Sequence, residues 1–162
     1  MGEDAVGGGV RAARPGDANE RLRLRLRVAV LDGAPLDERW RAAFRDDLRA
    51  RPGRDPHLLA FVVPAGGGRG PAACAIGSVH HGNRGPSRPT GRWGRIHTAV
   101  TDPAHRRRGP GRAVTAASVE ALAAAGCGPA GLRATGDGAA LHRGLGYGAV
   151  DGYARLDLGG GR

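Results

Sequence analysis

The sequence predicts an α/β domain, a central sheet with helices packed against it. Three observations carry that expectation. A chain of 162 residues with 40% apolar content suits one domain with a sizeable core. Short apolar runs bounded by Pro and Gly, Leu58 to Val63 and Ala72 to His80, have the length of strands. Before and after them lie segments with helical spacing or composition, Pro35 to Arg49 and Ala113 to Ala125.

The elements follow in order. Residues 1–8 read as a disordered lead-in and Gly159 to Arg162 as a frayed tail, which leaves 9–158 for a single domain. Val10 to Arg14 reads as a first strand, ended by Pro15-Gly16. The next segment supports two readings. Leu22, Leu24, Leu26, Val28 and Val30 alternate with arginines through Arg27, the period of a strand. Asp17 followed by Glu20 is instead a capping-box-like start, after which Leu22, Leu26 and Ala29 share one helical face. In the helix expected over Pro35 to Arg49, Trp40, Ala43, Phe44 and Leu48 fall near one face, and Arg51-Pro52-Gly53 stops it. Pro64 ends the strand begun at Leu58, and a polar loop from His81 to Gly91 follows the strand over Ala72 to His80. Arg92 to Thr101 and Leu132 to Thr135 read as the next two strands. Tyr153 to Leu158 alternates and closes the sheet.

Thr101 to Ala113, Thr-Asp-Pro-Ala-His-Arg-Arg-Arg-Gly-Pro-Gly-Arg-Ala, joins an apolar strand to an Ala-rich helix. Such a loop suits a phosphorylated ligand: glycines let backbone N–H groups approach an anion, and the helix N-terminus adds its positive dipole end. Arg106, Arg107, Arg108 and Arg112 add charge there. The formal net charge of +10 also favours an anionic partner. All 25 basic residues are arginine, which GC-rich coding accounts for. Without lysine there is no Walker-type phosphate loop. Two each of Trp, Tyr and Phe supply a poor stacking platform, which argues against nucleic acid. No Cys/His spacing makes a zinc finger, so no metal is expected. Cys74 and Cys127 stand apart and read as small apolar residues in a reducing compartment. No apolar run has the length of a membrane span and the N-terminus lacks a signal core, so a cytoplasmic location is expected.

The spacing Arg106-x-x-Gly109-x-Gly111 resembles the acetyl-CoA-binding loop of the GNAT superfamily of acyl-CoA N-acyltransferases, Gln/Arg-x-x-Gly-x-Gly/Ala. Thr101-Asp102-Pro103 sits where that family's fourth strand ends in a Val-x-Pro-like step. Leu141-His142-Arg143-Gly144-Leu145-Gly146-Tyr147 looks like its Leu-Tyr-x-x-x-Gly-Phe segment. The resemblance spans residues 8–158, carried by motifs from 95 onward and by topology alone before that.

It implies a mixed, mostly antiparallel central sheet flanked by helices, with a helix in the disputed segment after Asp17. It implies acetyl-CoA as co-substrate, entering where the fourth and fifth strands diverge, and direct attack of an amine on the thioester. Backbone amides of Arg107 to Arg112 would hold the pyrophosphate, within a cofactor set of Arg106, Arg107, Arg108, Gly109, Pro110, Gly111, Arg112 and Ala113. Pro110 departs from the pattern by lacking an N–H. Ala99, Val100 and Thr101 match the stretch whose backbone meets the pantetheine arm. Thr135 stands where some relatives carry a cofactor-contacting asparagine, or with Asp137 it caps the following helix.

His142 replaces the tyrosine that assists departure of the CoA thiolate, and nearby arginines oppose its protonation. Tyr147 reads as a core aromatic with its hydroxyl at the surface. His97 is the candidate general base, read with the same side-chain parity as Ala99 and Thr101, while His80 and His81 end the preceding strand. The amine acceptor is open between small molecule and protein or peptide, and the chain would be a monomer or homodimer. The alternative is a catalytically impaired, basic binding module of the same fold for RNA or ribosomes.

Overall fold

The computed structural model describes residues 9–29, 36–67 and 69–150. The strand expected over Tyr153 to Leu158, and the segments 1–8 and 159–162, lie outside the described residues. Among the described residues, five strands form one sheet in the order of the sequence: β1 (Arg11–Ala12), β2 (Leu58–Pro64), β3 (Pro71–His81), β4 (Arg92–Thr101) and β5 (Ala130–Leu132). The first four pair antiparallel, and β5 runs parallel to β4. The sheet is therefore mixed and mostly antiparallel, flanked by α1 (Ala18–Ala29), α2 (Glu38–Ala50), α3 (Pro110–Ala124) and α4 (Ala139–Gly144).

The helical reading of the Leu/Arg segment holds, and the structure explains its strand-like period. Leu22 packs with Leu48, Ile76 and Leu26, whereas Leu24 packs with Val62, Cys74 and Val100. A helix wedged between α2 and the sheet buries more than one stripe, so alternate residues are apolar. Asp17 does not cap it as expected. Its carboxylate turns back to accept from the Arg14 amide at 2.7 Å and to pair with Arg11 at 2.8 Å. Glu20 pairs with Arg23 instead.

Arg21 is the cost of that wedge. Its side chain is completely buried, and Nε, Nη1 and Nη2 have no hydrogen-bond partner among the described residues. Burial pulls its pKa down, opposed by the neighbouring Cys74 and Asp17. Burial likewise pushes the Cys74 thiol up to about 12, which fits an inert core thiol.

α2 starts at Glu38, with Asp37 as its cap accepting from the Trp40 amide at 2.8 Å. The expected start at Pro35 lies outside the described residues. Trp40, Phe44 and Leu48 do face the core, but Ala43 is exposed. β5 pairs over Ala130–Leu132 rather than Leu132 to Thr135, and α3 begins at Pro110, a turn earlier than expected.

One irregularity positions the site. Ile76 pairs with Thr98 while Gly77 pairs with Ile96, so β4 carries one extra residue, His97, opposite that step. A bulge of this kind switches which face later side chains occupy. Ile96 packs on the α3 side with Val79 and Leu122, whereas Val100 packs on the opposite side with Leu24. Ala99 pairs with Ala75, which packs against Val114 of α3.

Candidate functional site

β4 and β5 pair only through Gly94, Arg95 and Ile96, opposite Ala130, Gly131 and Leu132. From His97 to Thr101 the β5 side of β4 has no strand partner among the described residues. The Asp102 amide donates to the Ala72 carbonyl on β3 at 2.8 Å. Backbone groups alternate along a strand, so those of Val100 also turn to β3, and those of Ala99 and Thr101 turn outward to the gap. Of the three positions expected to meet an extended ligand, two offer their backbone and Val100 is a core residue, 6% exposed.

The open end of that gap meets the Arg-rich loop. Asp102 starts a single 3-10 turn, Pro103–His105, by accepting from the Ala104 amide at 3.0 Å. It also pairs with Arg23 of α1 at 2.7 Å. The Ala104 amide, and then Arg23, hold its carboxyl below the usual range. Next, Arg107 takes a left-handed conformation (φ 63°), the one non-glycine among the described residues to do so. Gly109 follows at φ 91° as the N-cap of α3, where a side chain would be strained. Left-handed residues in such a loop curl the backbone so that its amides point into a common concavity, an anion-binding geometry.

Pro110 is the first helical residue, and the Ala113 amide is the first to bond back to the cap, reaching the Gly109 carbonyl at 3.0 Å. The amides of Gly111 and Arg112 therefore project beyond the helix end without an intrahelical acceptor. Arg106, Arg107 and Arg108, in the same loop, are exposed. Arg112 is directed elsewhere, donating to the Gly144 carbonyl of α4 at 3.3 Å. Ala113 packs with Val114 and Ala117 against the sheet. A phosphate-bearing ligand fits this set of donors: two free amides, a left-handed glycine cap and three exposed guanidinium groups. Gly111 also has a packing reason, since a Cβ there would stand 2.5 Å from Thr101 Oγ1 and 3.6 Å from Leu141 Cδ1. Thr135 is exposed, and its carbonyl, not its hydroxyl, accepts from the Gly138 and Ala139 amides ahead of α4.

His142 lies in α4, which docks on the first turn of α3 through the Arg112–Gly144 bond. It is buried, and Nδ1 has no hydrogen-bond partner among the described residues. Its pKa is lowered by burial, so the expected opposition of nearby arginines is not the cause. Tyr147 packs edge-on to it with ring centroids 6.0 Å apart. The tyrosine hydroxyl is buried and unpartnered, not at the surface as expected.

His97 stands at the vertex where β4 and β5 part. The bulge turns its ring away from the face of Ala99 and Thr101, overturning the expected shared parity, and its Nε2 lies within hydrogen-bond reach of Ser78 Oγ. His80 Nε2 is 2.6 Å from the same hydroxyl. His80 stacks on Trp93, ring centroids 4.1 Å apart and planes within 15°. Burial, then Arg95, His80, Arg25 and Arg51, lower the pKa of His97. The sequence reading missed Ser78 and Trp93; the His80-His81 pair was visible, but only strand pairing shows that it lies beside His97. His81 points elsewhere, meeting His57 edge-on at 4.9 Å.

Among the described residues no cluster of three His, Cys, Asp or Glu groups is placed to hold a metal ion. Nor is any described helix long and apolar enough to cross a membrane.

Sequence comparison with curated proteins finds no match. Solved structures match over nearly the whole chain. A GCN5-related N-acetyltransferase from Ralstonia eutropha JMP134 is 28% identical, with a TM-score of 0.70, covering 91% of this chain and 97% of that one. A predicted acetyltransferase from Clostridium acetobutylicum, crystallised with acetyl-CoA, has a TM-score of 0.74 at 19% identity, covering 92% and 95%. Glucosamine-6-phosphate N-acetyltransferase from Arabidopsis thaliana shares the fold at 14% identity and a TM-score of 0.70, covering 92% and 97%. The model of the Acetyltransferase (GNAT) family matches residues 25–147, and the chain belongs to that family.

Proposed function

We propose that this acetyltransferase moves the acetyl group of acetyl-CoA to an amine by direct attack. The observation that carries the reading is the continuity of the two halves of the site. The amide-lined start of α3 opens into the gap along β4, where Ala99 and Thr101 offer backbone groups. From Thr101 to His97 that gap runs about 13 Å along the strand. Length and polarity suit an extended arm carrying amides, with its anionic end at the loop and its reactive end at the vertex.

Each residue then has a task. The amides of Gly111 and Arg112, with Arg106 to Arg108, bind phosphate. The backbone of Ala99 and Thr101 orients the arm, and such positioning supplies much of an enzyme's advantage over solution. His97, exposed at the vertex, takes the proton of the incoming amine; partial desolvation and then its cationic neighbours lower its pKa and so favour the neutral imidazole. His142, whose neutral form burial favours, donates an N–H to the departing thiolate instead of acting as imidazolium. When bound, acetyl-CoA supplies the activated acyl group.

The test combines binding and turnover. Calorimetry should show acetyl-CoA binding that Gly109→Val and Gly111→Val abolish in folded protein, and a panel of amines should then be scanned for thiol release. Stabilisation by RNA without any by acetyl-CoA would replace this reading with the binding module.

A further inference from the structure

Ser78, His80 and His97 form a connected set that the transfer reaction as described does not use in full. Ser78 and His80 project from β3 on the face covered by α1 and α2, and the bulge brings His97 of β4 onto that face beside them. The Ser78 hydroxyl has one proton and lies between two Nε2 atoms. With both rings neutral, it donates to one and accepts from the other. The two histidines are therefore locked in opposite tautomers, one protonated at Nε2 and the other at Nδ1.

We propose that Ser78 and His80 are a proton relay for His97, carrying the amine's proton off the attack site to a histidine held flat on Trp93. This inference rests on the acetyl-transfer reading for its use, though not for its geometry. The resting state has His97 protonated at Nε2, with Nδ1 bare toward substrate. The ammonium gives its proton to Nδ1 of His97, and the N–H bond of the amine breaks. The Nε2 proton of His97 passes to Ser78 Oγ as the serine's own proton passes to Nε2 of His80. The amine is now neutral, Ser78 is again a hydroxyl and His80 is an imidazolium. After the product leaves, the protons retrace this path and the excess one leaves Nδ1 of His97 to water.

Two features favour that direction. An imidazolium stacked on an indole face gains cation–π attraction, and His80, not His97, has the stack. Partial desolvation first, and then four neighbouring groups, oppose a positive charge on His97: Arg95 from its own strand, His80 from β3, Arg25 from α1 and Arg51 beyond α2. Arg51 is itself paired with Asp55 at 2.7 Å, which moderates its share.

The geometry is testable in the free protein, without any acceptor. Nitrogen-15 NMR of histidine-labelled full-length chain should show His97 protonated at Nε2 and His80 at Nδ1 near pH 8. Ser78→Ala should release this opposite-tautomer pattern, and Ser78→Thr, which keeps the hydroxyl, should restore it. The same tautomer on both rings, or the opposite pattern surviving unchanged in Ser78→Ala, overturns the relay even if acetyl transfer is real. With an amine identified by thiol release, Ser78→Ala should lower kcat about tenfold at pH 7. The loss should shrink toward pH 9, where the amine arrives already neutral, and Ser78→Thr should recover most of it. A loss that is constant across pH and not rescued by threonine also overturns it.

Discussion

Gly111→Ala separates packing from ligand binding at the start of α3. The added methyl would face Thr101 Oγ1 at 2.5 Å, nearly an ångström inside ordinary contact. Thr101 is the last residue of β4, and its β-branched side chain has few alternative rotamers. The helix start therefore has to rise from the strand, and the amides of Gly111 and Arg112 rise with it. Over-packing of this kind costs about 1–3 kcal/mol. Gaining alanine's helix propensity returns at most about 1 kcal/mol, and less at a helix end. At the middle of the over-packing range the clash wins by about 1–2 kcal/mol, and with that net cost on the bound geometry acetyl-CoA should weaken by roughly 5- to 30-fold.

The assay is calorimetry with acetyl-CoA beside thermal melting of the free protein. Thr101→Ala removes the opposing oxygen and leaves the backbone that is proposed to meet the ligand, so alone it should bind as the parent does. Combined with Gly111→Ala it should restore affinity, whereas Thr101→Val, which keeps the bulk, should not. Gly109→Ala is the contrast: no atom lies within 4 Å of its Cβ, yet its φ of +91° imposes a conformational cost of about 1–2 kcal/mol that no partner substitution can relieve. Parent-like affinity in Gly111→Ala, or no rescue by Thr101→Ala, would refute the account of why glycine stands there.

Other outcomes follow from the same structure. Arg21→Met should raise stability by about 1–4 kcal/mol, since it replaces a buried, unpartnered cation with an apolar chain of similar length; a lower melting temperature would show that the guanidinium is stabilising. Pro110→Ala adds an amide at the first helical position and should tighten acetyl-CoA by at most about 1.5–3 kcal/mol; weaker binding would mean that the proline's preorganisation matters more. His142→Phe should lower kcat by about 10²-fold or less with acetyl-CoA affinity unchanged, and His142→Tyr should keep or raise it; parent-like turnover of the phenylalanine variant from pH 6 to 9 would reduce the residue to packing. His142 and His97 have pKa values below the ordinary 6.5, so the unfolded chain binds more protons than the folded one as pH falls through that value. The stability they contribute is present above pH 6.5 and is lost below it, down to their folded values; melting curves from pH 8 to 5 should show this loss, reduced in His142→Phe.

Much of the fold was legible because punctuation and pattern agreed. Gly91 before β4 and Asp102-Pro103 after it bracket the strand, and its expected limits coincide with those observed. Where the two disagreed, local letters misled. Pro110 and Gly111 read as loop, yet proline lacks only an N–H that the first helical turn leaves unused, so α3 incorporates both. Ala130 and Gly131 are poor strand formers and join β5 because β4 offers an edge there. Tyr147 was expected as a core aromatic with its hydroxyl at the surface. The docking of α4 beside α3 buries it, a tertiary effect that no local pattern encodes.

The expected parity of His97 failed for a physical reason. Side-chain parity along a strand is a reliable guide to facing only while the strand is regular. A single extra residue opposite the Ile76–Gly77 step puts His97 on the face opposite Ala99 and Thr101, and nothing in Arg95-Ile96-His97-Thr98 signals it. The same irregularity lets β4 serve two surfaces. Before it, Ile96 packs under α3 and its backbone pairs with β5; after it, Ala99 and Thr101 turn their backbones to the gap. A regular strand would have carried His97 toward α3, away from Ser78 and His80. The feature hidden from the sequence is thus the one that joins a ligand-lined gap on the strand's edge to a histidine pair on its face.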